Sequence, residues 1–218
     1  MNFNIATEKP PLGGWGQVCL TSAYLAPVEY FVALANTKTV LLENCDYYLK
    51  QTYRNRCQIA TANGLMTLSI PVEKGNGEKT LTRDVRISEH SDWQLQHWRS
   101  IESAYNSTPF FEYYKDDFFP FYEKKWTFLW DFNFEIQTKV LELLDLKPCL
   151  KLTEEYKVML DDSTGDLRES IHPKKQNLLW KAKSYYQVFE QRFGFLPNLS
   201  IIDLLFNMGN ESQLIVVL

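Results

Sequence analysis

The sequence lacks any uninterrupted apolar run long enough to span a membrane, and no basic start followed by an apolar stretch marks a secretory signal. No C-x-x-C pair is present either. The four cysteines are scattered along the chain, which is poor spacing for a zinc site or a disulfide framework (Cys19, Cys45, Cys57 and Cys149). We therefore expect a cytoplasmic protein with reduced thiols and no membrane span.

Motifs for several common chemistries are missing as well. No H-x-x-H or H-E-x-x-H pattern links the three histidines, no G-x-S-x-G marks a serine nucleophile, and no glycine fingerprint for phosphates follows the first predicted strand. We therefore expect no metal and no bound cofactor. The net charge of −4 argues against nucleic-acid binding, which needs a positive field to neutralise phosphates.

What the sequence does contain is enough apolar material for one folded domain of 218 residues, of which 45% are hydrophobic. Aromatic residues make up 15% of the chain. This content is typical of either aromatic-rich packing or an aromatic-lined pocket, and composition alone does not choose between them.

The first half of the chain has the pattern of a βαβ unit. Residues 17–22 resemble a short apolar strand, residues 27–36 a helix, and Thr39–Glu43 a buried strand. Ligands of such units gather at the carboxyl ends of the strands, which here are residues 21–24 and 43–46. Beyond them, residues 52–59 alternate as a strand, Asn63-Gly64 indicates a hairpin turn, residues 65–72 return, and residues 81–87 form a third candidate strand.

The second half is predicted to be mostly helical. Ser91 and Gln94 have the spacing of a capping box for a helix over 92–106, and further helices are predicted at 109–124, 127–146, 176–193 and 200–208. The polar residues 161–175, which include Asp161, Asp162 and Asp166, indicate a solvated loop or mobile segment. Residues 214–218 are apolar enough for a closing strand or an edge at which the chain forms a homo-oligomer. The predicted fold class is α/β, with a Rossmann-like βαβ unit extended by a β-hairpin region (about 16–90) and a helical part (about 91–210) in one domain, 1–218.

The densest cluster of polar residues runs from Glu43 to Arg56 and also contains Lys50 and Asn55. A strand over 52–59 would place Arg54 and Arg56 on one face. Two neighbouring guanidinium groups need an anionic partner. That partner is either the phosphate or carboxylate of a ligand, or Glu43 and Asp46 in a structural ion-pair network.

Aromatic residues near the strand ends have two interpretations. Tyr24, Tyr47, Tyr48 and Tyr53 either stack on a ring of the ligand or pack in the core with satisfied hydroxyls.

Three further polar residues are predicted to face the protein interior. His97 falls on the apolar face of the helix over 92–106, where it serves either as a proton carrier or as a hydrogen-bonded core residue. Asp203 and Asn207 form a polar stripe on an otherwise apolar helix. They either tie that helix to the fold or face a pocket.

The sequence resembles the WbqC-like protein family over roughly residues 18–209. The resemblance is carried by several segments (Tyr24-Leu25-x-Pro27-x-x-Tyr30-Phe31, Lys50-Gln51-Thr52-Tyr53-Arg54-Asn55-Arg56, Ile70-Pro71-Val72, His97-Trp98 and the run Leu199 to Gly209). The chain departs from the family where Leu20-Thr21-Ser22 stands in place of a His-Gln-Pro triplet. In addition, residues 161–175 replace a longer segment.

Some members of this bacterial family are encoded among surface-polysaccharide genes, and the resemblance therefore implies a step in activated-sugar metabolism. The expected function is a transferase that binds an anionic small molecule, such as a nucleotide sugar, at the strand ends. Arg54 and Arg56 would hold the anion and Tyr24 and Tyr53 would pack on the ring, while Glu43 or Asp46 orients a hydroxyl and His97 carries a proton. The alternative is a non-catalytic binding or assembly protein of the same pathway.

Overall fold

A computed structural model describes residues 16–73, 79–175 and 180–218. Its N-terminal part confirms the Rossmann-like βαβ unit. Strand β1 (Gln17–Thr21) runs parallel to β2 (Thr39–Glu43), and α1 (Val28–Ala35) connects them. Since α1 is apolar on nearly every side, it is buried in the core instead of lying on the surface.

A hairpin follows, as the Asn63-Gly64 signal predicted, but its first strand is shorter than expected. Strand β3 (Arg56–Thr61) pairs antiparallel with β4 (Gly64–Ser69), and Gly64 supplies the positive φ of 105° at the turn. Residues 52–55 form turns, so the expectation that Arg54 and Arg56 alternate along one strand is wrong. The third strand predicted at 81–87 is also wrong: a 3-10 turn, Thr82–Asp84, lies there between isolated bridges.

Three helices occupy the middle of the chain close to their predicted positions: α2 (Trp93–Tyr105), α3 (Phe111–Glu123) and α4 (Leu129–Leu143). The capping box predicted at Ser91 and Gln94 does not form. Asp92 is the N-cap of α2 and makes no side-chain cap hydrogen bond, and Gln94 instead donates to the Lys124 carbonyl at 2.6 Å.

Two short strands complete the parallel sheet. Strand β5 (Cys149–Leu152) pairs with β2, and β6 (Thr164–Asp166) pairs with β1, giving the order β5-β2-β1-β6 with every pair parallel. The prediction of a loop over 161–175 is confirmed for most of this segment. It is wrong for Thr164–Asp166, which form an edge strand, and for Leu167 and Arg168, which are buried rather than solvated.

The C-terminal region contains α5 (Glu190–Phe193), α6 (Ile201–Met208) and α7 (Gln213–Val216), of which α6 and α7 pack against α1 of the βαβ unit. Of the helix predicted at 176–193, residues 176–179 lie outside the described part, and only α5 is helical in the remainder. Tyr185 and Gln187 instead hydrogen-bond to Asp203 from a segment without regular secondary structure. The closing strand predicted at 214–218 is wrong, because α7 takes its place and the Asn36 side chain binds the backbone of Val216 and Leu218.

The core joins the βαβ unit to the helical part through aromatic side chains, the largest of which are fully buried (Tyr24, Tyr30, Tyr105, Tyr114, Phe31, Phe111, Phe118, Phe132 and Phe206). Most of the aromatic content therefore serves packing. Within the described ranges, no helix is both long enough and apolar enough to cross a membrane.

Candidate functional site

A cleft of about 770 Å³ lies beyond the carboxyl ends of the parallel strands. Asp46 and Tyr47 follow β2, and Tyr156 follows β5. Asp166 is the last residue of β6, and residues 167–170 come directly after it. Because parallel strands present their carboxyl ends at one edge of the sheet, segments far apart in sequence meet there. The volume is within the range of small-molecule sites, about 300–1,000 Å³.

Charged side chains of both signs line this cleft, with acidic Asp46, Asp166 and Glu169 and basic Arg54, Lys79, Arg168 and Lys175. Tyr47, Tyr48 and Tyr156 add aromatic rings. Of the residues that the sequence predicted for ligand binding or catalysis, the structure places Asp46 and Arg54 in the cleft walls.

Arg54 is buried and is held by two carboxylates. Its Nη2 donates to Asp46 Oδ2 at 2.6 Å and to Glu169 Oε1 at 2.9 Å, and its Nε donates to Asp46 Oδ2 at 3.1 Å. Asp46 Oδ1 is also buried and has no hydrogen-bond partner among the described residues. Asp46 therefore keeps one acceptor unused beside the cleft.

Arg168 is the second buried arginine, and sequence reasoning missed it. Its Nε and Nη2 donate to the two oxygens of Asp166 at 2.9 and 2.6 Å, and its Nη1 donates to Glu43 Oε2 at 3.0 Å. Burial opposes the charged form of Asp166, but the hydrogen bonds from Arg168 outweigh it and lower the pKa of this carboxyl.

Glu43 is fully occupied by the fold. Besides Arg168, its carboxylate accepts from Thr153 Oγ1 at 2.6 Å and from the Cys45 backbone N–H at 2.9 Å. It lines a neighbouring cavity of about 660 Å³. Residues 153–161, between β5 and β6, lie between the two cavities and contribute side chains to both.

Two aromatic rings of the cleft are in contact with cations. The Arg168 guanidinium lies 4.8 Å from the Tyr156 ring centroid, and Lys79 Nζ lies 5.5 Å from that of Tyr47. Tyr156 and Tyr47 are about half exposed, so part of each ring faces solvent.

Arg56, the first residue of β3, does not line the cleft as the structure describes it, although its charge lies close to one wall. Burial raises the pKa of Tyr48 to about 12, and the positive charges of Arg56 and Arg54 oppose that rise. Both guanidinium groups therefore favour a lower pKa of the Tyr48 phenol. The buried Arg56 Nε has no hydrogen-bond partner among the described residues.

His97 and Tyr24 lie together in the core and are not among the described residues that line the cleft. The Tyr24 hydroxyl lies 3.0 Å from His97 Nδ1 and 2.9 Å from the Tyr122 hydroxyl. Burial lowers the pKa of His97 from 6.5 to about 4, against a weaker opposing effect of a hydrogen bond to the Ser69 backbone. The imidazole is therefore neutral at pH 7.

The other residues around the predicted ligand site have structural contacts or lie on the surface. Tyr53 is buried, and Asn55 Nδ2 donates to the Ile70 carbonyl at 2.8 Å, which joins the turn to the end of the hairpin. Lys50 is exposed and does not line the cleft described here.

Asp203 and Asn207 form a buried network on α6. Asp203 accepts from Tyr185 at 2.8 Å, Tyr105 at 3.0 Å and Gln187 at 3.2 Å, and Asn207 Oδ1 accepts from the Val188 N–H at 3.2 Å. Burial raises the pKa of Asp203 to about 6, and these hydrogen bonds limit the rise. The network attaches residues 185–188 to α6.

The missed residues of the cleft come mostly from 156–175, a range that includes the loop predicted at 161–175. A signal was present in the spacing of Leu167 and Ile171, two apolar residues inside a polar stretch that are both buried. Clusters of three or more side chains suited to metal binding are absent from the described residues.

The fold and the cleft define an α/β protein with a parallel sheet and a charged, aromatic-lined cavity at its strand ends. Comparison with known proteins specifies the family: the sequence model of the WbqC-like protein family matches residues 22–172, and the chain belongs to that family. The matched range holds every cleft residue except Lys175; the run Leu199 to Gly209 lies outside it.

One relative is the uncharacterised protein Rv1507c of Mycobacterium tuberculosis. It is 26% identical over 217 residues, which cover 88% of this chain and 93% of the relative. No solved structure matches the chain significantly.

Proposed function

We propose that this protein is a transferase-like enzyme that binds a phosphorylated or nucleotide-linked sugar in the cleft. The observation that carries the proposal is one cavity, at the carboxyl ends of parallel strands, whose walls combine carboxylates, cations and exposed tyrosine rings. Each component matches a part of an activated sugar: hydroxyl groups, phosphate, and a ring with an apolar face.

The sugar hydroxyls would bind to the acidic side chains. The Asp166 side chain is 43% exposed, so its oxygens remain open to a ligand that donates hydrogen bonds. Tyr156 presents the ring against which a sugar or base would pack.

The phosphate would bind to the basic side chains. Lys79 and Lys175 are exposed at the cleft and bring mobile positive charge to its rim. Arg54 and Arg168 add two buried guanidinium groups, each already held in place by carboxylates. Such preorganised groups are typical of phosphate recognition.

Chemistry in this cleft would depend on Asp46 and Asp166 rather than on His97 and Glu43. His97 is neutral and hydrogen-bonded in the core, and both Glu43 oxygens are engaged. The proposal therefore assigns His97 and Glu43 to the scaffold. It places the reaction in the cytoplasm, in surface-polysaccharide or other activated-sugar metabolism, which the resemblance to the family implies.

Titration calorimetry with a graded series of compounds tests the proposal. The series contains a free monosaccharide, its 1-phosphate, and the corresponding uridine diphosphate sugar. We expect affinity to rise along the series, and we expect Tyr156→Ala to weaken binding of the nucleotide sugar by about tenfold, the value of one lost stacking contact. Tyr186→Ala, which removes a similarly exposed tyrosine away from the cleft, is the matched control.

Equal weakening by the two tyrosine variants, or no binding by any compound of the series, would contradict the proposal. If a nucleotide sugar binds, release of the nucleoside diphosphate with candidate acceptors then separates a transferase from a binding protein.

A second candidate function is a non-catalytic binding or assembly protein of the same pathway. It is favoured by the apolar residues Val158 and Met159, which are 80% and 86% exposed beside the cleft. A stable complex with a biosynthetic enzyme that is lost in Val158→Ser/Met159→Ser, together with no small-molecule binding, would favour this function over the first.

A further inference from the structure

The Glu169 carboxylate lies in a strongly basic part of the cleft. Its Oε1 accepts from Arg54 Nη2 at 2.9 Å. The two members of this ion pair differ in environment, because the Arg54 side chain is 2% exposed and the Glu169 side chain is 51% exposed. Arg54 is thus fixed in the wall, whereas Glu169 reaches it from the solvent side.

Further basic groups surround the same carboxylate. The His172 imidazole lies within the electrostatic influence of Glu169, Lys174, Lys175 and Arg54. The hydrogen bonds that the structure shows for the two lysines go to uncharged oxygens: Lys174 Nζ donates to Gln51 Oε1 at 2.7 Å, and Lys175 Nζ to the Glu169 backbone carbonyl at 2.6 Å. Arg54 and Lys175 therefore both contact Glu169, Arg54 at the carboxylate and Lys175 at the backbone carbonyl.

Asp46 binds Arg54 more strongly than Glu169 does. Asp46 is buried and accepts two hydrogen bonds from the guanidinium, whereas Glu169 accepts one and is half exposed. Exposed ion pairs are weak because water and salt compete with them, whereas breaking a buried pair leaves an uncompensated charge. Of the two carboxylates, Glu169 is the one that an incoming anion can replace.

We infer that the Glu169 carboxylate occupies the binding place of the ligand's phosphate, and that a phosphate or diphosphate group binds by displacing it from Arg54. Glu169 then competes with the ligand, and Arg54 and Lys175, which line the same cleft, form the phosphate subsite. This inference rests on the proposed function, since it assigns the anionic end of the same ligand. It also makes Glu169 a residue that sets affinity and excludes weakly charged ligands.

The test is calorimetric titration of inorganic pyrophosphate, without divalent cations, into wild-type protein and Glu169→Gln. Removing the competing charge is expected to tighten pyrophosphate binding by about two- to fivefold, within the range for one exposed ion pair. Lys175→Ala is expected to weaken it by about threefold, because an ammonium is lost from the subsite. Since Glu169 is half exposed, its replacement leaves the core unchanged.

Glu123→Gln is the matched control, because it removes the same charge from an exposed position at the end of α3. An equal gain in Glu123→Gln and Glu169→Gln would reflect net charge alone and would overturn the inference. Unchanged or weaker binding in Glu169→Gln would overturn it as well.

The same titrations separate this inference from the proposed function. If a nucleotide sugar binds in a Tyr156-dependent manner and Glu169→Gln leaves its affinity unchanged, the inference fails and the proposed function stands. If Glu169→Gln tightens pyrophosphate but no sugar-bearing compound binds better than pyrophosphate, the phosphate subsite stands and the activated-sugar ligand is excluded.

Discussion

Arg168 illustrates how one side chain connects distant parts of this chain. It binds Asp166 two positions away and Glu43 125 positions away, so it holds the segment after β6 against the end of β2. Glu43 stood out in the sequence because it ends a buried strand. Its partner did not, because no local pattern signals a contact over such a separation.

Replacing Arg168 by Met is expected to reduce the free energy of unfolding by about 3–5 kcal/mol, because Glu43 would remain charged and buried without its cation. Chemical denaturation measures this loss. Arg83→Met, which removes an exposed arginine, is the control and is expected to change stability by about 0.5 kcal/mol at most. A loss below about 1 kcal/mol in Arg168→Met would show that the buried network contributes little.

The titration of His97 shows whether this core histidine is available for proton transfer. Its pKa is lowered to about 4 by burial, so it should show no titration shift between pH 8 and pH 5 in NMR spectra. His90, which is exposed, is the internal reference. The pKa of His97 in the folded protein lies below the ordinary 6.5, so the neutral imidazole contributes to the stability of the fold above pH 6.5. This contribution is lost as the pH falls through about 4. A His97 titration midpoint near 6.5 would contradict the buried environment and restore it as a proton carrier.

At the scale of elements, helix α6 shows how a local signal and a tertiary contact combine. The helix predicted at 200–208 ends at Gly209, which has a φ of +57°. The structure adds a second constraint, because a Cβ atom at this position would lie 2.6 Å from the Phe110 ring.

Gly209→Ala is expected to reduce the free energy of unfolding by more than backbone strain alone would, which costs about 1–3 kcal/mol. Gly194→Ala is the matched control, because Gly194 also has a positive φ, of 70°, but has open space where a Cβ atom would lie. The difference in unfolding free energy between the two variants isolates the contact with Phe110. Equal losses would show that the Phe110 ring moves aside freely.

The elements that the sequence predicted correctly have strong local patterns. The βαβ unit, the Asn63-Gly64 hairpin and helices α2 to α4 follow from apolar periodicity and turn chemistry. Strands β5 and β6 are only 4 and 3 residues long, and they form because β2 and β1 offer free edges. Residues 185–188 lie in a predicted helix, yet they are not helical, and they hydrogen-bond to Asp203 and Asn207.

At the scale of the molecule, the C-terminal region is hydrogen-bonded to the βαβ unit near the start of α1. The Val28 N–H donates to the Leu199 carbonyl, the Ile201 N–H to the Ala26 carbonyl, and Ser200 Oγ to the Leu25 carbonyl. The start of α6 therefore binds directly to the entry of α1. This arrangement favours one folding unit, as expected for a single domain.

A chain that ends at residue 195 is expected to lose cooperative folding, because it lacks the α6 side chains that fill the core between α1 and α3. Near-ultraviolet circular dichroism during urea unfolding measures the tertiary structure that remains. In the full chain, near- and far-ultraviolet signals should change together in one transition. A truncated chain that unfolds cooperatively at the same midpoint would show that the α/β part folds independently.

Only part of the candidate site could be predicted, because residues far apart in sequence meet there without any local signal. Asp46 and Arg54 lie eight positions apart, so one polar cluster in the sequence contained both. Glu169, Arg168, Tyr156 and Lys175 join them only because β5 and β6 pair with the earlier strands. The shape of the cleft is therefore a property of the sheet topology rather than of any motif.

A thermal-shift screen tests the central claim, ligand binding in the cleft, most directly. The panel would contain nucleotide sugars, free nucleotides, acyl-coenzyme A and simple phosphates, with wild-type protein beside Lys79→Ala/Lys175→Ala, which removes two exposed cations of the cleft. A ligand at a hundred times its dissociation constant adds about 2.7 kcal/mol of stability, which a melting curve resolves. We predict a rise in melting temperature with at least one nucleotide sugar, and a smaller rise in the double variant. No shift with any compound, or an equal shift in both proteins, would contradict the assignment of the cleft as the ligand site.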